Sequence, residues 1–136
     1  RRPRRARSLT TEPEYLDLDD LLGLAVVLLG DPPPVRNIGL LASAAARPRA
    51  SAFGDDAYPG LWEKAAALLQ AIVKDHPLVD GNKRLSWLAT AVFLSINGVD
   101  PTTASNDAIV TYVMDAAAGS HTVDQLAERL RSIIEA

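Results

Sequence analysis

Apolar residues recur at three- and four-residue spacing in six segments of this chain, separated by breaks rich in Pro, Gly and Asp. Leu18 to Leu29 is the first, with Asp17 placed to cap it and Asp19 and Asp20 favourable in its first turn. Its apolar residues nearly surround the axis, which predicts a central position. Gly30-Asp31-Pro32-Pro33-Pro34 ends it. Asn37 is a second cap candidate, before a short alanine-rich helix from Ile38 to Ala46. Residues Arg47 to Tyr58 read as a loop, longer than most helix–helix connections. A third helix is predicted from Pro59 to Asp75, with Leu61, Ala65, Leu68, Leu69 and Ile72 as its buried stripe. It stops at His76-Pro77, because a residue before proline avoids the helical region. The next helix, Asn82 to Asn97, carries Leu85, Leu88, Ala89, Val92 and Ile96 on one face and is stopped by Gly98. Two more follow, Asn106 to Ala118 and Val123 to Glu135, the last opened by the capping box Thr122-Val123-Asp124-Gln125. The expectation is an all-α, compact bundle of about six helices without internal repeat.

Composition changes this picture little. At 136 residues the chain suits one domain, and 48% hydrophobic content, rich in Leu and Ala, suits a helical bundle. Cysteine is absent, which excludes disulfides and thiolate chemistry and agrees with a reducing cytoplasm. The longest apolar run, Leu21 to Leu29, is far short of the ~20 residues a membrane span needs. Charge divides the chain more sharply. Arg1, Arg2, Arg4, Arg5 and Arg7 are five of the 14 cations, and the remainder sets 9 cations against 17 acids. Residues 1–14 lack apolar periodicity and read as a disordered, Arg-rich arm, with 15–136 as the folded domain. An acidic body argues against a nucleic-acid groove.

The chemistry concentrates in His76-Pro77-Leu78-Val79-Asp80-Gly81-Asn82-Lys83-Arg84, between the third and fourth predicted helices. A helix start offers unpaired N–H groups and the positive end of the macrodipole, which together attract anions. Lys83 and Arg84 oppose that dipole unless a polyanion such as a phosphate chain sits above them. Their bland reading is pairing with Asp75 or Asp80. Asp80 can hold a divalent cation bridging phosphates, and its bland reading is an Asp-Gly turn. His76 can take a proton from a nucleophile, or merely cap a helix C-terminus. Gly81 permits close approach of backbone to phosphate, while Asn82 either caps the helix or offers its amide to phosphate oxygen. The segment reads as a phosphoryl-transfer site. His121, beside Gly119 and Ser120, reads as a surface residue, and Trp62 and Trp87 as core anchors.

These nine residues resemble the signature of the Fic/Doc superfamily, in its Doc ("death on curing") branch. Gly39-Leu40-Leu41-Ala42-Ser43-Ala44, Arg47-Pro48, Tyr58-Pro59, Glu63-Lys64-Ala65-Ala66 and Asn97-Gly98 also fall where Doc-type sequences place similar residues. The resemblance implies the all-helical Fic fold, with the motif loop joining its two central helices. It implies His76 as general base, Asp80 as Mg²⁺ ligand, and Gly81, Asn82, Lys83 and Arg84 as the nucleotide-phosphate site. It implies that the Arg47–Tyr58 loop, with Arg47, Pro48, Phe53, Gly54 and Tyr58, is a flap that docks an extended segment of the target. The adenylyl-transferring branch has glycine where Lys83 stands and a second arginine where Trp87 stands. In the family picture such a lysine reverses the nucleotide, so the product is a phosphoprotein.

Doc-like members are toxins of toxin–antitoxin pairs that use ATP and Mg²⁺ to phosphorylate a threonine of elongation factor Tu and stop translation. The resemblance therefore implies a bacterial cytoplasmic kinase toxin, held by a small antitoxin whose C-terminal segment covers the active-site groove. No Ser/Thr-x-x-x-Glu/Asp-Gly/Asn pattern occurs in the chain, so inhibition in cis is not expected. Leu78 replaces the usual phenylalanine, and Leu85-Ser86-Trp87 a run of smaller residues. Leu78 is expected to pack beneath the loop. Adenylyl transfer, and an inactive module that only binds the antitoxin, are the alternatives.

Overall fold

The computed structural model describes residues 12–136. Among them lie six helices: α1 (Leu18–Leu29), α2 (Ile38–Ala46), α3 (Leu61–Asp75), α4 (Asn82–Ile96), α5 (Asn106–Ala118) and α6 (Val123–Glu135). Between α2 and α3 run a 3-10 turn, Arg47–Arg49, and a small hairpin of β1 (Ser51–Ala52) and β2 (Asp55–Asp56). No helix among the described residues is long and apolar enough to cross a membrane. Of the Arg-rich arm, residues 1–11 lie outside the described residues. Glu14, near its end, is tied down: its N–H donates to Asn97 Oδ1 at 2.8 Å, and Asn97 Nδ2 donates to its carbonyl at 2.9 Å.

The helix ends follow the local chemistry. Asp17, Asn37, Ser105 and Thr122 each accept a first-turn N–H from the N-cap position. The third helix starts at Leu61 rather than Pro59, because Gly60 is its N-cap and donates its N–H to Glu63 Oε1 at 2.9 Å.

The centre of the bundle is α3, not α1. Every residue from Lys64 to Leu69 is buried, and so are Ala71, Ile72 and Val73. Their small alanines let α4 and α6 close against it, with α2 and α5 alongside. Helix α1 buries only Leu21 and Ala25, while Val27 is 78% exposed. The buried face of α4 is also turned from the expected one: Leu85, Ser86, Ala89, Thr90, Phe93 and Leu94 go inside, while Leu88, Val92 and Ile96 are half-buried. Ser86 and Thr90 fit there because their hydroxyls bond back to the Lys83 and Ser86 carbonyls, both at 2.7 Å. Trp62 and Trp87 are half-buried against the core rather than anchors within it.

Candidate active site

The motif loop is built by local turn chemistry and braced by a distant segment. Helix α3 ends at His76, whose backbone is left-handed (φ 52, ψ 59) and whose N–H still bonds to Ile72 O at 3.3 Å. That twist sends Pro77 and Leu78 back into the core, where Leu78 is 1% exposed, as its packing role requires. Residues Pro34 to Asn37 run beside the loop. The N–H groups of Arg36 and Asn37 both donate to Pro77 O, at 2.8 and 3.0 Å, and Val79 N–H donates to Pro34 O at 2.8 Å. Gly81 then adopts φ 85, and a Cβ there would lie 2.8 Å from Leu29 Cδ1. Glycine is required on both counts.

Asn82, expected to cap α4 or to offer its amide to phosphate, does not cap the helix with its side chain. Its Oδ1 accepts from Leu78 N–H at 2.9 Å and its Nδ2 donates to Leu78 O at 3.0 Å, closing the loop on itself. The N-cap of α4 is Gly81, which has no side chain to occupy the first-turn N–H groups. Those of Asn82, Lys83 and Arg84 have no partner within the helix and point out of its positive end.

His76, Val79, Asp80, Gly81, Asn82, Lys83 and Arg84 line one cleft of about 330 Å³. The side chains of His76, Asp80, Lys83 and Arg84 are exposed in it. Arg84 Nη2 stands 4.0 Å from Asp80 Oδ2, with 59% and 85% of the two side chains exposed, so this pair contributes little and yields readily to another anion. A proton acceptor, a carboxylate, two cations and a helix start therefore converge on one small volume. The donor set also suits a magnesium ion. No group of three or more His, Cys, Asp or Glu among the described residues is placed to hold a metal, so phosphate and water would have to complete the shell around Asp80. Mg²⁺ is commonly bound that way.

The residues expected to form a flap make a separate unit. Phe53 (φ 54) and Gly54 (φ 85) occupy the turn of the hairpin, whose register pairs Ser51 with Asp56 and Ala52 with Asp55. Both turn residues have positive φ, as type I′ turns demand. Phe53 is wholly exposed, and Gly54 is exposed beside it. Arg47, Pro48 and Tyr58 support the hairpin from below: Arg47 Nε donates to Tyr58 Oη at 2.8 Å and its Nη2 to Gln70 Oε1 at 2.9 Å, while Pro48 is buried. Sequence reasoning missed the anchor of this unit, Lys64. Although 2% exposed, it donates from Nζ to Pro48 O and to Asp56 Oδ2, both at 3.2 Å. Its signals were a lysine inside an otherwise apolar helical stripe and its place in the Doc-like block Glu63-Lys64-Ala65-Ala66. Arg36 was missed too, since nothing local marks it.

Beside the cleft an apolar groove of about 390 Å³ runs between α1, α4 and α5, floored by Leu28, Trp87, Leu88, Ile109, Val113 and Met114. Lys83 and Arg84 border both the groove and the cleft. His121 is half-buried, 3.5 Å from Arg129 Nη1, which pairs with Asp115 at 2.8 Å.

A family model described as "Fic/DOC family" matches residues 15–94, more than half of the chain. A curated protein named "Toxin Doc", from Mycolicibacterium smegmatis, is 55% identical over 86 residues. That match takes in 63% of this chain and 66% of the relative, just under two thirds of its length.

Proposed function

The chain belongs to the Fic/DOC family, and on that premise we propose that it is the toxin of a toxin–antitoxin pair, transferring the γ-phosphoryl group of ATP to a protein hydroxyl. The observation that carries this reading is the convergence of His76, Asp80, Lys83 and Arg84 on one cleft at the uncapped start of α4. His76 takes the proton of a Thr or Ser hydroxyl as its oxygen bonds to the γ-phosphorus and the bond to ADP breaks. Lys83, Arg84 and the first N–H groups of α4 hold the phosphate oxygens and spread the charge that develops there. Asp80 would hold Mg²⁺, which when bound neutralises charge on neighbouring phosphates. The proposed substrate is a translation factor, elongation factor Tu foremost, and the proposed setting is a bacterial cytoplasm.

Lys83 favours phosphoryl over adenylyl transfer, because that branch has glycine at this position. The arginine it would also need is replaced by Trp87, which lines the apolar groove and not the cleft. An inactive module is disfavoured by the burial of Leu78 and Leu85, at 1% and 0% exposure, since neither substitution reaches the reacting groups. The proposed partner is a small antitoxin whose C-terminal segment covers the site. The apolar groove supports this reading, because a segment seated there lies against Lys83 and Arg84.

The test incubates the protein and its His76→Ala variant with Mg²⁺, elongation factor Tu and ATP labelled at either the α or the γ position. Label on the factor from γ only, absent with the variant, is expected. Label retained from α makes the enzyme an adenylyltransferase, and no label from either leaves a binding module.

A further inference from the structure

We propose that Arg36 is the positioning residue of this site, a planar clamp that fixes the direction in which the His76 imidazole leaves the backbone. The proposal rests on His76 being the general base. Arg36 Nε donates to His76 O at 2.7 Å, and its Nη2 donates to Asp75 O at 2.8 Å. These carbonyls belong to the two peptide planes on either side of the His76 Cα. The φ and ψ of His76 are the rotations that relate those planes, so one rigid fork gripping both sets the two angles together.

The conformation it grips needs such support. His76 is left-handed, at φ 52 and ψ 59, which is unfavourable for any residue carrying a Cβ. Backbone of this kind persists only where its surroundings over-determine it. Arg36 supplies a third restraint through its own N–H, which donates to the carbonyl of the next residue, Pro77, at 2.8 Å. It thus engages three consecutive carbonyls from a segment 40 residues away. A cation at the negative end of α3 is also favourable, but a lysine would supply that charge equally well. Only the guanidinium offers two donors at fixed spacing in one plane. Arg36→Lys is therefore not conservative here.

The experiment compares the parent with Arg36→Lys, Arg36→Ala and His76→Ala, using γ-labelled ATP turnover and carbon NMR. The Cα and Cβ shifts of His76 report its backbone angles. The chain has two histidines, so His121 serves as an internal reference. Both Arg36 variants are expected to lower kcat about ten- to a hundredfold at unchanged KM for ATP, as a misaligned catalytic group does. The His76 shifts should move while those of His121 stay in place. Added guanidinium ion should restore part of the Arg36→Ala rate and none of the His76→Ala rate. An Arg36→Lys variant with the parent's rate and His76 shifts overturns the clamp, and so does equal movement of both histidines, which would mean general loosening. A parent that transfers no phosphate sinks the proposed reaction instead, and the NMR comparison then decides the clamp by itself.

Discussion

Replacing Gly81 by alanine strains the motif loop at its tightest point. Gly81 stands at φ 85 and ψ 12, where a Cβ crowds the following carbonyl; that conformation costs about 1–2 kcal/mol for a non-glycine residue. The new Cβ would also lie 2.8 and 2.9 Å from the Leu29 methyl groups, inside van der Waals contact. Overpacking of this kind costs about 1–3 kcal/mol. Leu29 is half-buried at the last turn of α1 and can partly swing aside, so the low end applies. The sum is about 2–3 kcal/mol. For a domain of this size that lowers the melting temperature by roughly 6–15 °C. Urea and thermal unfolding of the parent, Gly81→Ala, Leu29→Ala and the double variant form a cycle that separates the two contributions. In the Leu29→Ala background the steric part, about 1 kcal/mol, should vanish and the backbone part remain. A Gly81→Ala variant within about 0.5 kcal/mol of the parent, the range of an ordinary surface change, would refute the reasoning. An undiminished cost in the Leu29→Ala background would refute its steric half.

Asn82→Ala removes both bonds to the buried Leu78 peptide groups and should cost about 1–3 kcal/mol in urea unfolding. Asn82→Asp keeps an acceptor for the Leu78 N–H and should fall between the parent and Asn82→Ala. Lys64→Met keeps the volume but leaves the Pro48 carbonyl without its partner, at about 1–3 kcal/mol. The Asp56 side chain is 56% exposed and regains water, so the hairpin should loosen without the bundle unfolding. Faster exchange of the Ala57 amide, which bonds to Ala50 O, with unchanged exchange in α3 would report this. Burial pushes the Tyr112 phenol well above its ordinary value of 10.0, against a smaller opposing effect of Arg129. Its contribution is therefore complete below pH 10 and is lost as pH rises beyond it, because the unfolded chain releases the proton first. Urea unfolding from pH 8 to 11 should show that loss in the parent and a flatter profile in Tyr112→Phe. That variant should also lose about 1 kcal/mol at neutral pH with the bond to Leu126 O.

Six helices, nearly all their ends, and the motif between the third and fourth were legible because their signals are local. A cap such as Asp17 or Thr122 acts on N–H groups within three residues of itself. The break at His76-Pro77 and the turn at Asp80-Gly81 are likewise decided by adjacent backbone. Even the Arg47–Tyr58 connection stood out by its length, although two-residue strands carry no alternation from which a hairpin can be read.

Tertiary structure decided what those elements face. Helix α1 is apolar around nearly its whole circumference, yet it lies at the edge while α3 takes the centre. Burial depends on which neighbours can approach, and the alanines of α3 admit them on several sides. Ser86 and Thr90 face inward because their hydroxyls are satisfied within their own helix, which polarity alone does not reveal. Asn82 bonds to Leu78 instead of capping α4, Lys64 holds the hairpin from inside the core, and Arg36 grips His76 across 40 residues. The sequence by itself determined which chemical groups the motif carries and their order along the chain. The fold decided their orientation, because orientation rests on hydrogen bonds between segments that only packing brings within 3 Å of each other.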